Sequence, residues 1–402
     1  MVGYLKLKSS SQSYTNTNGK HRTFQLYFIN LNPIHFIMAT IKDISNYIEE
    51  LAPLHYAESF DNVGLLIGDE KTKVTGILVA LDSLETVVDQ AIEKKCNLIV
   101  SFHPIVFSGL KKLNGKNYVE RVVIKAIQNN IAIYAMHTAL DNSFKGVNAK
   151  ICEVLGLENY QVLIPQENNI KKLITYVPTE NADRVRNGLF AEGAGNIGDY
   201  KNCSFNIKGI GTYKGTENSN PTKGEKGILH SEKEIVIGVI FEKHLEEKIL
   251  NALFKNHPYE EVAYEISTIE NKHPQIGMGM IGELKTAITE KEFLKMIKAK
   301  MKTTCIRHSK LRGKKIKKVA VLGGSGSFAI EKAKKEGADA YISSDFKYHD
   351  FFKAENQLLI TDIGHYESEQ FTKNLLTDYL RKKFSNFAVI LSDINTNPIY
   401  YS

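Results

Sequence analysis

Short, nearly apolar runs alternating with segments of helical period are the feature that most limits what this chain can fold into. Residues 77–81, 97–102 and 131–136 are too short for stable helices and show no polar face, as strands covered on both sides do. Between them, residues 84–94 and 118–128 space their apolar positions three and four apart, so each reads as a crossover helix. The same grammar returns near the C-terminus. There, 318–322 reads as a strand, Gly323 to Gly326 as a turn, 328–336 as a helix, and 340–343 and 357–361 as further strands. Such a succession specifies parallel or mixed sheets flanked by helices, an α/β fold.

Residues 165–285 follow another order. Strands are expected at 172–177, 203–210, 234–242 and 262–267, with helices at 181–192 and 244–255. The sequence β-α-β-β-α-β is that of a ferredoxin-like α+β unit, inserted here between the two α/β stretches, and the polar residues 215–232 read as a long loop within it. The expected division is therefore 1–37, 38–164, 165–285 and 286–402, reasonable for 402 residues at roughly 100–200 per domain. The first of these segments is rich in Ser, Thr and Asn and reads as a disordered extension. Thr40 looks like an N-cap, with Ile41, Ile44, Ile48 and Leu51 on one helical face, and Met38 just before it is the expected native start.

Charge argues against a nucleic-acid partner. Lys6, Lys8, Lys20 and Arg22 supply four of the net +7, and the basic run Arg307 to Lys318 reads as a solvated strand edge. The four cysteines, Cys96, Cys152, Cys203 and Cys305, contain no CxxC pair, so a reducing, cytoplasmic setting is expected and a cysteine zinc site is not. No apolar run reaches the ~20 residues of a membrane span.

Chemistry collects where the outer strands end. His103 follows the strand at 97–102, and His137-Thr138-Ala139-Leu140-Asp141 follows the strand at 131–136. His365 and Glu369 follow the strand at 357–361, standing four apart and so on one face of any helix formed there. Imidazoles with carboxylates and no thiolates suit Zn²⁺, Mn²⁺, Fe²⁺ or Co²⁺, and two carboxylates, Asp141 and Glu369, make a two-metal site feasible.

His103-Pro104 with Phe107, His137-Thr138-x-Leu140-Asp141 and Gly364-His365-x-x-Ser368-Glu369 resemble the signatures of the Nif-three-like family, whose bacterial members are called GTP cyclohydrolase 1 type 2 homologues. Phe60-Asp61-Asn62-Val63-Gly64-Leu65, Gly323-Gly324-Ser325-Gly326 and Asp345-x-Lys347-Tyr348-His349-Asp350 extend the resemblance. The central unit resembles the inserted PII- and CutA-like domain of longer members, most clearly at His257-Pro258-Tyr259-Glu260-Glu261. The resemblance implies a dinuclear site of two divalent ions held by His103, Asp141, His365 and Glu369, in a toroidal homohexamer. Many members have two adjacent histidines before the proline. Here the first is Phe102, which cannot ligate, so one ion loses an imidazole that His137 is placed to replace or support. Ser344 stands where glycine is common.

Three features carry two readings each. Gly323 to Gly326 is a phosphate cradle or a tight turn; Asp61-Asn62 is a site contact or, preferably, a turn; His349 is a proton-transfer residue, like His137, or a residue packed at the site edge. The expected activity is metal-dependent hydrolysis of a nucleotide-like or phosphorylated small molecule. The alternative is a non-enzymatic metal-binding regulator whose inserted domain senses a ligand.

Overall fold

In the computed structural model, which describes residues 7–15, 21–29 and 39–402, the first apolar run becomes strand Gly76–Ala80, buried at every position. It lies second in a five-stranded sheet ordered Ala388–Leu391, Gly76–Ala80, Leu98–Ser101, Ala132–Ala135, Gly64–Ile67. The first four strands are parallel and the last is antiparallel. Helices Glu85–Glu93 and Tyr118–Gln128 seat Val87, Val88, Ala91, Val122, Val123 and Ala126 on the sheet residues Leu78, Ile99 and Ile133, as their period predicts. Thr40 caps helix Ile41–Leu51 in a reciprocal capping box with Asp43.

A six-stranded sheet holds the rest of the outer architecture, in the order Arg307–His308, Leu359–Asp362, Ala340–Ser344, Lys315–Ser325, Gly277–Thr289, Leu157–Pro165. Its three middle strands from Leu359–Asp362 to Lys315–Ser325 are parallel and the other pairings antiparallel, so both sheets are mixed. Two features correct the expected division. Gly277–Thr289 runs through the boundary drawn at 285 and pairs with Leu157–Pro165 across the whole intervening segment. The C-terminal strand Ala388–Leu391 pairs with Gly76–Ala80, so residues 286–402 complete the sheet of residues 38–164.

Between these strands lies a four-stranded antiparallel sheet ordered Tyr264–Ile269, Ile170–Pro178, Leu229–Glu242, Phe205–Lys214. Helices Ala182–Ala191 and Glu246–Asn256 bring Val185, Leu189, Ile249 and Leu253 onto Leu173, Ile237 and Val239 to form its core. Strand Leu229–Glu242 begins inside the segment read as a loop to 232, because its outer half pairs with Phe205–Lys214 and meets its backbone hydrogen bonds there.

Leu7–Thr15 and His21–Ile29 pair in antiparallel register, in a unit separate from Thr40–Ser402. A disordered extension was expected over 1–37. For these two strands that reading yields to the period-two run Phe24, Leu26, Phe28, which the surrounding Ser and Thr obscure. Met38 lies outside the described residues. No helix among the described residues is long and apolar enough to cross a membrane.

Candidate metal centre

All three sequence clusters leave the C-terminal ends of buried parallel strands. Strand Leu98–Ser101 runs into His103 and its neighbour Ala132–Ala135 runs into His137, with Ser101 opposite Ala135 in the register. Backbone bonds hold both exits, since His103 N–H donates to the Leu81 carbonyl and His137 N–H to the Phe102 carbonyl, each at 2.9 Å. The two imidazole centroids are 5.5 Å apart. The third exit follows Leu359–Asp362, where Gly364 takes φ +94°, a region open to glycine, and turns the chain into the short helix His365–Glu369. One helical turn then places Glu369 on the face of His365.

His103, His365 and Glu369 converge, with one ligand atom from each lying within 4.8 Å of the others. Glu369 Oε2 is 3.1 Å from His103 Nε2 and 3.2 Å from His365 Nε2, yet it is buried without an aligned hydrogen-bond donor. Among the described residues, Asp141 Oδ1 is likewise buried with no hydrogen-bond partner. Unsatisfied buried oxygens are costly in a folded protein and mark a position where something else completes the shell. Two imidazole nitrogens around an orphan carboxylate oxygen are a donor set that fits a divalent cation.

A carboxylate stands behind each of the three imidazoles. Nδ1 of His103 bonds Asp82 at 2.8 Å, Nδ1 of His137 bonds Asp61 at 2.7 Å and Nδ1 of His365 bonds Asp345 at 2.7 Å. Donating Nδ1–H to a carboxylate fixes the tautomer and leaves the Nε2 lone pair facing forward. The carboxylates are themselves held, Asp82 by the Thr396 hydroxyl, Asp61 by the backbone and hydroxyl of Thr138, and Asp345 by the Ser325 hydroxyl. His137 (φ +27°) and Asp345 (φ +59°) both take left-handed backbone that non-glycine residues seldom adopt, strain concentrated at the site.

Electrostatics follow from this crowding. Burial raises the Asp141 carboxyl well above its usual range, and the negative charge of Glu369 adds to it. Burial would raise Glu369 as well, but the close positive charges of His103 and His365 outweigh it and hold that carboxyl at about 2. Against the burial that opposes protonation, Glu369 and Asp82 raise His103 to about 10, and Asp345 with Glu369 raises His365 to about 11. A cation entering the cluster therefore displaces protons.

Other residues fall into place around it. Phe102 is fully buried, its ring 4.8 Å from that of His103 and 5.6 Å from that of His137, so it borders the imidazoles on one side. Asp61, for which the turn was preferred, is a site contact. Gly323 and Gly324 lie within strand Lys315–Ser325, where its pairing with Ala340–Ser344 shifts register, so neither the cradle nor the turn describes them: their N–H groups donate to Asn148 Oδ1 (3.0 Å) and Ser368 Oγ (2.9 Å). A Cβ on Gly324 would fall 2.4 Å from Glu369 Oε1, which is why the backbone passes there as glycine. His349 is exposed on the 3₁₀ helix Tyr348–Ala354, its ring beside Tyr348 and Phe352, and among the described residues no hydrogen bond ties it to the cluster. Asp82 was missed in the sequence. Its signal is its position directly after the first apolar run, at another strand end.

Residues 39–398 match the profile of the family Duf34/NIF3 (NGG1p interacting factor 3). The chain is 37% identical over 366 residues to the GTP cyclohydrolase 1 type 2 homolog of Bacillus subtilis, covering 90% of this chain and 98% of that one. To the protein of that name from Halalkalibacterium halodurans it is 35% identical over 369 residues, covering 90% and 99%. The crystal structure of a Bacillus cereus protein related to NIF3 superposes with a TM-score of 0.78 at 35% identity, covering 91% of this chain and all of that one.

Proposed function

The chain belongs to the Duf34/NIF3 family, and from that premise we propose that it is a divalent-metal-dependent hydrolase of a nucleotide-like or phosphorylated small molecule. The orphaned Glu369 Oε2, buried between the Nε2 atoms of His103 and His365, is the observation that carries this reading. His103, His365 and Glu369 hold one ion, and Asp141 with its buried free oxygen contributes to a second, from Zn²⁺, Mn²⁺, Fe²⁺ or Co²⁺. When bound, the ions supply Lewis acidity and lower the pKa of water toward neutrality. By the family resemblance Phe102 stands where many members carry histidine, and the second position would then be short of an imidazole.

The chain's own residues do the rest. With Nδ1–H tied to Asp61, His137 keeps Nε2 free to accept a proton from the attacking water, and the Asp61 carboxylate stabilises the imidazolium that results. Asp82 and Asp345 keep His103 and His365 turned toward Glu369. The exposed rings of Phe60 and Phe107, 6.4 Å apart with Phe107 also 6.1 Å from His137, offer a planar substrate an apolar surface at the mouth. We read the four-stranded unit as an inserted ferredoxin-like domain, from its sheet order, and the assembly as a toroidal homohexamer, which light scattering checks as six times the chain mass.

Metal analysis of freshly purified protein, combined with turnover of GTP and a panel of phosphoesters, tests the proposal. Bound divalent metal and turnover that chelation and His365→Ala both abolish are expected. Tight metal binding without turnover of any substrate would overturn the hydrolase reading in favour of a metal-binding regulator, and protein that takes up no divalent ion would overturn both.

A further inference from the structure

The inserted unit has a buried carboxylate of its own. Glu234 retains 9% of its exposure and has no Lys, Arg or His nitrogen within 4.0 Å among the described residues, although buried charges are ordinarily paired. Its Oε1 accepts from the Tyr259 hydroxyl at 2.8 Å, and its Oε2 lies over Gly211, where a Cβ would come within 2.2 Å. Gly209 is opposite Glu234 in the register, and among the described residues a Cβ there would meet nothing within 4 Å. Missing side chains at these two glycines open a hollow on the sheet face turned away from the helices.

That hollow is a cavity of about 630 Å³, in the range of small-molecule sites. Tyr213 and Tyr259 meet at 68° with centroids 5.8 Å apart, two aromatic walls beside the carboxylate, and Tyr176, Val236, Lys214, Glu260 and Glu261 line the cavity as well. The roof is the segment 215–222, pinned where Asn220 N–H donates to Glu260 at 2.7 Å and the Thr222 hydroxyl donates to the Pro258 carbonyl at 2.9 Å. His257 sets the corner. Its Nδ1 accepts from Tyr259 N–H at 3.1 Å and its Nε2–H donates to the Tyr176 carbonyl at 3.0 Å, which turns the His257-Pro258-Tyr259-Glu260-Glu261 motif so that Tyr259 stands over Glu234. A structural purpose alone does not explain a carboxylate with no cationic partner, among the described residues, beside two tyrosine rings.

We propose that this cavity binds a small organic cation, a primary ammonium carrying an apolar or aromatic body, with Glu234 as the counter-charge and Tyr213 and Tyr259 as cation–π walls. The proposal is independent of the metal reading, since none of its residues belongs to the His103 cluster.

Calorimetric titration of the full chain with phenethylammonium, and with the neutral isostere 2-phenylethanol, tests it. One saturable site per chain is expected for the ammonium, with the alcohol at least about tenfold weaker. Glu234→Gln should weaken the ammonium about tenfold or more while leaving the alcohol unchanged. Should that variant fail to fold by circular dichroism, Tyr213→Leu, which removes one wall from a half-buried position, is expected to show a loss in the same direction. Equal affinity for ammonium and alcohol, or no effect of either variant, overturns the proposal. A change of assembly mass in Glu234→Gln without ammonium binding overturns it too, and assigns the face to a second copy of the chain. His365→Ala should leave the titration unaltered, which separates this outcome from any failure of the metal reading.

Discussion

Glu369 and Glu234 are both buried carboxylates, and their surroundings are opposites. Around Glu369 stand two imidazole nitrogens at 3.1 and 3.2 Å, each ring braced from behind by a further carboxylate. Beside Glu234 stand the Tyr259 hydroxyl and the paired rings of Tyr213 and Tyr259, with no Lys, Arg or His nitrogen within 4.0 Å among the described residues. Directional lone pairs converging on a point suit a compact ion with a tight ligand shell, whereas ring faces and one diffuse charge suit a bulky cation that keeps much apolar surface. Burying charge is therefore not one device but two, and the partner chemistry is written in the groups that flank the carboxylate.

Removing the charge at Glu369 gives the largest expected contrast. Glu369→Gln should lower divalent-metal affinity by about 100-fold or more, beyond the 10–100-fold typical of supporting residues, while phenethylammonium binding at Glu234 stays as it was. Equilibrium dialysis with Zn²⁺ or Mn²⁺ and the ammonium titration read the two sites separately; loss at both would dissolve the distinction between them.

The braces come next. Asp82→Asn keeps the size of the side chain but weakens the grip on His103 Nδ1, and a loss of about 10–100-fold in metal affinity is expected with little change in melting temperature. An unchanged affinity would mean that packing alone orients the ring.

A smaller effect is expected at Phe102. If its ring stands where an imidazole would serve the second ion, Phe102→His should raise occupancy of the weaker position by a few-fold in metal titration. Unchanged stoichiometry with a lowered melting temperature would assign Phe102 to packing, in keeping with its complete burial.

Acidification gives the smallest separation and sharpens the comparison from the other side. Burial lowers His257, so it is neutral in the folded unit, and the stability tied to that neutrality is present above its ordinary value near 6.5 and lost as pH falls below it. His103 and His365 are shifted upward, to about 10 and 11, so in metal-stripped protein they stay protonated in the fold from pH 7 to 5. Their stabilising contribution is full below about 6.5 and disappears only as pH rises through those raised values. Hydrogen exchange corrected for intrinsic rates should therefore accelerate between pH 7 and 5 around Tyr176 and Tyr259 more than along Leu98–Ser101. Equal acceleration in both regions would break the contrast.

Much of the centre was legible because its residues sit at punctuation marks. His103, His137 and His365 each follow an apolar run, and a polar, ionisable residue at the end of a buried strand stands out against the pattern. Asp82 follows such a run too, but a lone carboxylate after a strand is common, and its partner lies 21 positions away on the neighbouring strand exit. Asp61 looked like a turn because its sequence neighbours are turn formers, while its contact to His137 spans 76 positions. His349 was drawn in by its motif and stands apart because the 3₁₀ helix turns it outward to solvent.

By itself the sequence determined the strands and crossover helices, the capping of Ile41–Leu51 and the exits that carry the histidines, since period, caps and apolar runs act over a few residues and need no partner. Only the tertiary structure decided that Ala388–Leu391 closes the first sheet, that Gly277–Thr289 belongs to the outer architecture, and that Glu234, in a stretch reading Glu232-Lys233-Glu234 like any solvated strand, is buried under Tyr259. Which oxygen is left without a donor depends on through-space distances between segments far apart in the chain, and no local pattern contains them.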